Sequence, residues 1–334
     1  MVFKPIFLCL LLLAAAGCGG SSSPTDSPPL EVGVTLNPGD LLVTDSFSRA
    51  LFRVNPVTGN RDVVSGQVGG VPRQIAVDTD GTLLLALSEP SFPAILRVNP
   101  TDAVLSIVSA TGSDIDPNVP FVGTGGRLQG PFGLARESTG HLLVGNRDAA
   151  TIFRVDPATG DRTVISSIAR GEGPPIFGPI RQIAVEPDGM LLVIVAFWDR
   201  NGAVYRIDPA TGDRSVLSDD EHGAGNNLSD PRGIALSPDG DIFVSDPNQA
   251  TIFQIDPETG DRKVLSGPLD GAGESPDNPY GLTFDAQERL LVADGTLIYH
   301  VDLDTGNRTV ISAPQIGEGP AFTQAEDIVT FIGP

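Results

Sequence analysis

The chain has 334 residues, with 42 Asp and Glu against 21 Lys and Arg and a formal net charge of −21. That balance excludes a nucleic-acid surface, whose phosphates demand cationic side chains, and a polybasic grip on anionic lipid headgroups. Hydrophobic residues make up 40%, enough for a packed core, while 39 glycines and 29 prolines indicate many tight turns between short strands. With two cysteines in all, no disulfide framework stands in for that core.

At the N-terminus, Lys4 precedes an apolar run from Ile6 to Ala16, too short to remain as a membrane span. The run ends in Ala15-Ala16-Gly17-Cys18. Small residues before a scissile bond let a peptidase admit the chain, and a thiol just after it is the atom that receives a diacylglyceryl group. The segment resembles the lipobox of bacterial lipoproteins; an ordinary signal peptide with an incidental cysteine is the alternative. The resemblance implies a signal peptide over 1–17, lipidation at Cys18 and attachment to the cell envelope. Gly19 rather than Asp follows the cysteine, which implies the outer membrane, on its periplasmic side or surface. Several acyl chains, at ~0.8 kcal/mol per buried methylene, hold a protein there stably. Residues 18–31, rich in Ser and Pro, read as a flexible tether to a single domain over 32–334. Cys9 leaves with the signal.

Past the tether one unit is written six times. The clearest copies are LFRVNPVTGNRDVVS from Leu51, IFRVDPATGDRTVIS from Ile152, VYRIDPATGDRSVLS from Val204, IFQIDPETGDRKVLS from Ile252 and IYHVDLDTGNRTVIS from Ile298. A decayed copy, ILRVNPTDAVLSIVS, starts at Ile95. Each follows a string such as LLVTD at Leu41 or IFVSD at Ile242, itself introduced by one such as RQIAVDTDG at Arg73 or RGIALSPDG at Arg232. Four short apolar runs per roughly 50 residues, none long enough for a helix, predict an all-β six-bladed β-propeller of four-stranded antiparallel blades. A parallel β-helix has shorter rungs and no use for Asp-Pro-x-Thr-Gly hairpins. Two segments compete to supply the innermost strand of blade one: EDIVTF at Glu326–Phe331, which has no strand after it, and GVTLNPG at Gly33–Gly39. The C-terminal one is expected, since it joins the ring's ends and removes free edges.

In a meander the inner–second and third–outer turns share one face of the disc, and the remaining connections share the other. The Asp-Pro-x-Thr-Gly turn explains itself: Asp156 bonds its own turn amides, Pro157 presets φ and Gly160 takes the left-handed position, as at Asp208-Pro209-Gly212 and Asp256-Pro257-Gly260. Calcium on Asp78 and Asp80 would lack the ligand count of a calcium loop. That face reads as structural. The other carries variable inter-blade loops, several with G-x-G, as at Gly171/Gly173 and Gly223/Gly225. Without a helix behind them these are turn glycines, not a phosphate cradle. The first residues of the inner strands, Arg73, Phe132, Arg181, Arg232, Tyr280 and Glu326, are expected to ring the channel mouth on the variable face. Guanidiniums take carboxylate or phosphate and aromatic rings stack, which suits a small anionic ligand. Alternatively the arginines pair with Asp230, Asp277 and Glu326. Asp45, Asn146, Asp246 and Asp294 end the second strands on this face and are expected to bond local backbone amides.

The inner and second strings together resemble the NHL-repeat and SMP-30/gluconolactonase group of six-bladed propellers over residues 33–331. That group includes lactonases, lyases and plain binding modules. In its metal-dependent lactonases a Glu, an Asn and an Asp hold one ion in the channel. The resemblance puts Glu326 near the glutamate's place, but Arg232 and Tyr280 where the Asn and Asp belong, and a guanidinium repels a divalent cation. His141, His222 and His300 make no metal-binding spacing, and there is no G-x-S-x-G elbow. Trp198, in the loop 196–202 of the variable face, either stacks on a ligand or packs on blade four. No metal, cofactor or catalytic residue is assigned. The expectation is a lipid-anchored envelope module that binds a small anion or an envelope protein, with a metal-dependent hydrolase or lactonase of remodelled channel as the alternative.

Acylation at Cys18 has a direct check. A Cys18→Ser chain should take up no labelled fatty acid and should leave the membrane fraction; uptake undiminished by the substitution would contradict the anchor.

Overall fold

Each repeat places its apolar, β-branched runs in strands of about five residues and its Gly, Pro and Asp in the turns, so each folds as a small antiparallel sheet. The computed structural model describes residues 33–112, 120–197 and 201–333; Cys18 and Trp198 lie outside them. Blade four shows the pattern: Ile180–Val185 innermost, then Leu191–Val195, Ala203–Ile207 and, at the rim, Arg214–Ser218. Six such sheets form an all-β six-bladed propeller, as the repeat predicts. A three-residue 3-10 turn, Pro247–Gln249, is the helical element among the described residues. Blade two departs from the plan. Its long connection after Leu105–Thr111 adds a fifth, two-residue strand, Phe121–Val122.

The second strand of every blade is buried from end to end, because a neighbouring blade covers each face. Apolar side chains gather in six clusters, one per interface between blades. At one of them Leu143 and Ile152 of blade three meet Val193 and Tyr205 of blade four.

The C-terminal string closes the ring. Ala325–Thr330 pairs antiparallel with Leu41–Asp45, so blade one is built from both ends of the chain. The Asp45 carboxylate tightens this joint by accepting from the Thr323 and Gln324 amides at 2.6 and 2.9 Å. The rival segment near Gly33 forms no strand of blade one, whose edge is already paired. Instead Val34 donates to the Pro100 carbonyl at 2.7 Å, and Val34 and Leu36 pack on the wedge between blades one and two.

A second device ties the blades together. In five blades the outer strand opens with a buried arginine: Arg61, Arg162, Arg214, Arg262 and Arg308. Arg214 donates to Ser166 Oγ at 2.8 Å and to the carbonyls of Ser167, Arg170, Gly171 and Pro174 at 2.8–3.1 Å, all at the end of blade three or on the loop leaving it. Ser166 Oγ in turn donates to the Gly212 carbonyl at 2.8 Å. The G-x-G glycines complete this clasp. Gly171 and Gly173, at φ +85° and +94°, lie so near the next blade that a Cβ would sit 1.8 Å from Gly212 O and 2.0 Å from Arg214 O. They are turn glycines, as the sequence suggests, but the assignment of these loops and the Asp-Pro-x-Thr-Gly turns to opposite faces is corrected at the rim, where the two touch. Sheet twist carries the outer strand round until its end meets the start of the next one. Blade two has Leu105 in the clasp position, so no outer-strand arginine clasps the seam between blades one and two, which is bridged instead by the ion pairs Arg49–Glu89 and Arg73–Glu326.

Removing a clasp strands several buried carbonyls, each costing ~1–3 kcal/mol when left unsatisfied. Arg262→Ala should therefore lose at least ~3 kcal/mol in urea unfolding, whereas Leu105→Ala should lose ~1 kcal/mol. Equal losses would deny the clasp its role.

Candidate functional site at the channel mouth

In five blades a bulge at the mouth end of the inner strand turns successive residues toward the channel. The six residues named from the sequence come together there, in blade order Glu326, Arg73, Phe132, Arg181, Arg232 and Tyr280. Their contacts run round the ring. Glu326 Oε1 accepts from Arg73 Nη1 at 3.0 Å. The Arg73 and Arg181 guanidiniums both stand over the Phe132 ring, 5.0 and 5.3 Å from its centroid. Arg232 donates to Asp230 Oδ2 through Nε at 2.8 Å and Nη2 at 2.6 Å, and lies 5.8 Å over Tyr280. Arg181 Nη2 approaches the other oxygen of Asp230, at 4.0 Å.

The three arginines therefore converge on the mouth, where Glu326 and Asp230 balance them. Asp277, the third acid considered, accepts instead from Asn278. Phe132 is buried under the protein's own guanidiniums, so Tyr280, half-buried, is the aromatic that keeps a face for stacking. Burial, and then the neighbouring Arg232, draws the Arg181 guanidinium down to about 10. The mouth thus holds three cationic groups against two carboxylates, a positive spot on an acidic protein.

Beneath the ring the channel is filled. The cavity left there measures about 10 Å3, room for one water. The filling follows from the inner strands, whose channel-facing edges carry amides with no ladder partner. Gln74 Oε1 accepts from Leu134 N at 2.6 Å, Gln182 Oε1 from Ile234 N at 2.7 Å and Asp327 Oδ2 from Ile75 N at 3.0 Å, each reaching the next blade. Glycines 133, 233 and 281 hold the other three positions and leave room; a Cβ on Gly281 would lie 2.6 Å from the Asp327 Cα. Sequence reasoning missed this tier, although its signal stands one residue beyond each mouth residue, in the twice-written RQIAV and in EDIV.

No family model matches the chain, and no curated relative does. Solved structures match over most of it. A nidogen/laminin complex aligns with a TM-score of 0.63 and 16% identity, covering 86% of this chain and 97% of the other. A gluconolactonase from Xanthomonas campestris aligns at 0.56 and 18%, covering 90% and 91%. Virginiamycin B lyase from Staphylococcus aureus aligns at 0.55 and 14%, covering 85% and 84%. The shared architecture is the six-bladed β-propeller. At these identities the likeness reaches the fold alone.

Within the propeller, the ion of the group's lactonases finds no suitable donors. Glu326 is bonded to Arg73, and Arg232 and Tyr280 stand beside it. Among the described residues no three His, Cys, Asp or Glu converge as a metal site. The second-strand termini act as expected, with Asn146 Oδ1 accepting from Gln129 N at 3.1 Å and Asp246 Oδ2 from Ser229 N at 2.5 Å. Asp78 pairs with Arg97 at 2.7 Å and Asp80 bonds Thr82, which engages the turn carboxylates once weighed for calcium. The three histidines stand apart; His222 Nδ1 lies 2.8 Å from Asp219 and His141 Nδ1 3.1 Å from Thr139.

Asp327, wholly buried, is pushed up by that burial from 3.8 to about 8. The native state therefore holds its proton more tightly than the unfolded chain does. Its contribution to stability is fully present below about pH 4, declines as pH rises to about 8 and is level above that. Asp327→Asn should flatten this part of the profile, so the stability of wild type minus variant should fall between pH 5 and pH 8. A difference independent of pH would contradict a protonated carboxyl.

Proposed function

We propose that this propeller is a lipid-anchored binding module of the bacterial cell envelope, acylated at Cys18 and carried on the outer membrane, whose channel mouth receives a small anion. The observation that carries the reading is the convergence of Arg73, Arg181 and Arg232 beside Tyr280, against two carboxylates. On this reading the ligand sits on top of the ring, with Arg232 giving charge-assisted bonds and Tyr280 a stacking face; the narrow cavity beneath supports it. Recognition of an envelope protein through an acidic side chain would use the same chemistry. The nidogen/laminin complex supports that branch, as a protein of this architecture with a protein partner.

The test is thermal melting with a panel of small carboxylates and phosphates. A ligand present at 100 times its Kd should stabilise the native chain by ~2.7 kcal/mol. Losing one charge-assisted contact, as in Arg232→Ala, should weaken binding about ten- to a hundredfold. A lower melting temperature for Arg232→Ala with no anion-dependent shift in either protein would leave the arginines a purely structural task.

A further inference from the structure

The rim above blade four departs from the repeat in a way the scaffold does not require. The clasp uses only main-chain oxygens at the start of each inter-blade loop: Arg262 takes the carbonyls of Asp219 and His222, as Arg214 takes those of Ser167 and Arg170. The side chain of the first residue also caps the turn, Asp219 Oδ1 accepting from the Glu221 and His222 amides at 2.8 Å as Ser167 Oγ accepts from the Ala169 amide at 3.2 Å; the clasp asks nothing of the side chains that follow. The corresponding four residues are Ser167-Ile168-Ala169-Arg170, Gly267-Pro268-Leu269-Asp270 and Ala313-Pro314-Gln315-Ile316, but in blade four they are Asp219-Asp220-Glu221-His222. Three consecutive carboxylates repel one another in a chain already at −21.

These acids border a cleft of about 510 Å3. The same cleft is lined by Pro174, Pro175 and Phe177 from the preceding loop and by Phe197, Tyr205 and Val216. Phe177 is 64% exposed. It also borders a second cleft, of about 400 Å3, toward Ile168 and Ile176. Ile168, also exposed, borders the smaller cleft, whereas the exposed Leu269 and Phe47 border neither. No Lys or Arg is among the described residues lining the larger cleft. Asp220 holds Asn201 at 3.0 Å and Asp219 holds His222, while Glu221 projects into solvent.

Aromatic and proline side chains that share a cleft with carboxylates match one kind of side chain, a cation on an aliphatic stem. We propose that this cleft docks a segment of a partner protein through a Lys or Arg side chain, its charge against Asp220 and Glu221 and its stem along Phe177 and Pro174. A neighbouring apolar residue of the same segment fits the smaller cleft beyond Phe177. The site is independent of the channel mouth and opposite to it in charge preference.

A fluorescein-labelled hexapeptide, Gly-Ser-Arg-Leu-Arg-Ser, tests it by anisotropy against the purified chain at low and physiological salt, with a Glu-for-Arg peptide as control. The basic peptide should bind and the acidic one should not. The pair Asp220→Lys and Glu221→Lys should weaken binding at least about tenfold, and Phe177→Ser about fivefold. Glu258→Lys with Asp304→Lys, the same charge change on exposed turns elsewhere, should leave affinity within about twofold. Absence of binding by the basic peptide would overturn the proposal. So would equal loss from the two charge-reversed pairs, which would mean attraction to net charge alone.

Discussion

A blade is a sheet with two apolar faces and no core of its own, so it is stable only between neighbours. Everything else in this protein answers that constraint. The six apolar wedges supply the area, and the arginine clasps fix the angle at which one blade meets the next. Arginine suits the task because five donors in a rigid fork satisfy a cluster of loop carbonyls. Burial pulls the Arg61, Arg162 and Arg262 guanidiniums down, yet their bonded partners are neutral oxygens. A carboxylate partner would have brought a second desolvated charge into the interface.

The same constraint leaves the mouth free to vary. The channel-facing amides of Leu134, Ile234 and Ile75 are already satisfied from the tier below by Gln74, Gln182 and Asp327, so they ask nothing of the mouth residues. The repeat therefore tolerates Arg, Phe, Tyr and Glu at one structural position. The charges that result are arranged rather than merely accumulated, since each arginine leans on an acid or an aromatic of the adjoining blade. The cleft over blade four shows the same freedom at the rim, where the clasp asks the loop only for main-chain oxygens.

Fold and mouth were legible because repetition aligns equivalent residues: once RQIAV, RGIAL and EDIVT are stacked, Arg73, Arg232 and Glu326 fall into one ring. The closing strand was legible from the lack of any strand after it. The clasp was not. Arg214 and the glycines of the preceding loop are both conspicuous in the sequence, but they lie about 40 residues apart, and nothing in either string names the other. Counting turns also misplaced them, because strand order says which end a loop leaves from and nothing about how far twist carries that end. Asp327 was hidden for a related reason: its burial depends on five other blades being present.

Closure through Ala325–Thr330 has a consequence in time. During synthesis, blades two to six can assemble in order as they emerge, each on the one before. Blade one cannot. Its second, third and outer strands are made first and must wait with an open inner edge until the last residues arrive, and the Asp45–Thr323 contact spans 278 positions. Pairings of such separation are slow, because loop closure is unfavourable until the contact forms. For most of its synthesis the chain therefore carries an apolar strand, Leu41–Asp45, whose inner edge is unpaired and has the makings of intermolecular pairing. A chain that crosses a membrane unfolded and folds only after release would meet both of its ends at once, and would never pass through that exposed stage.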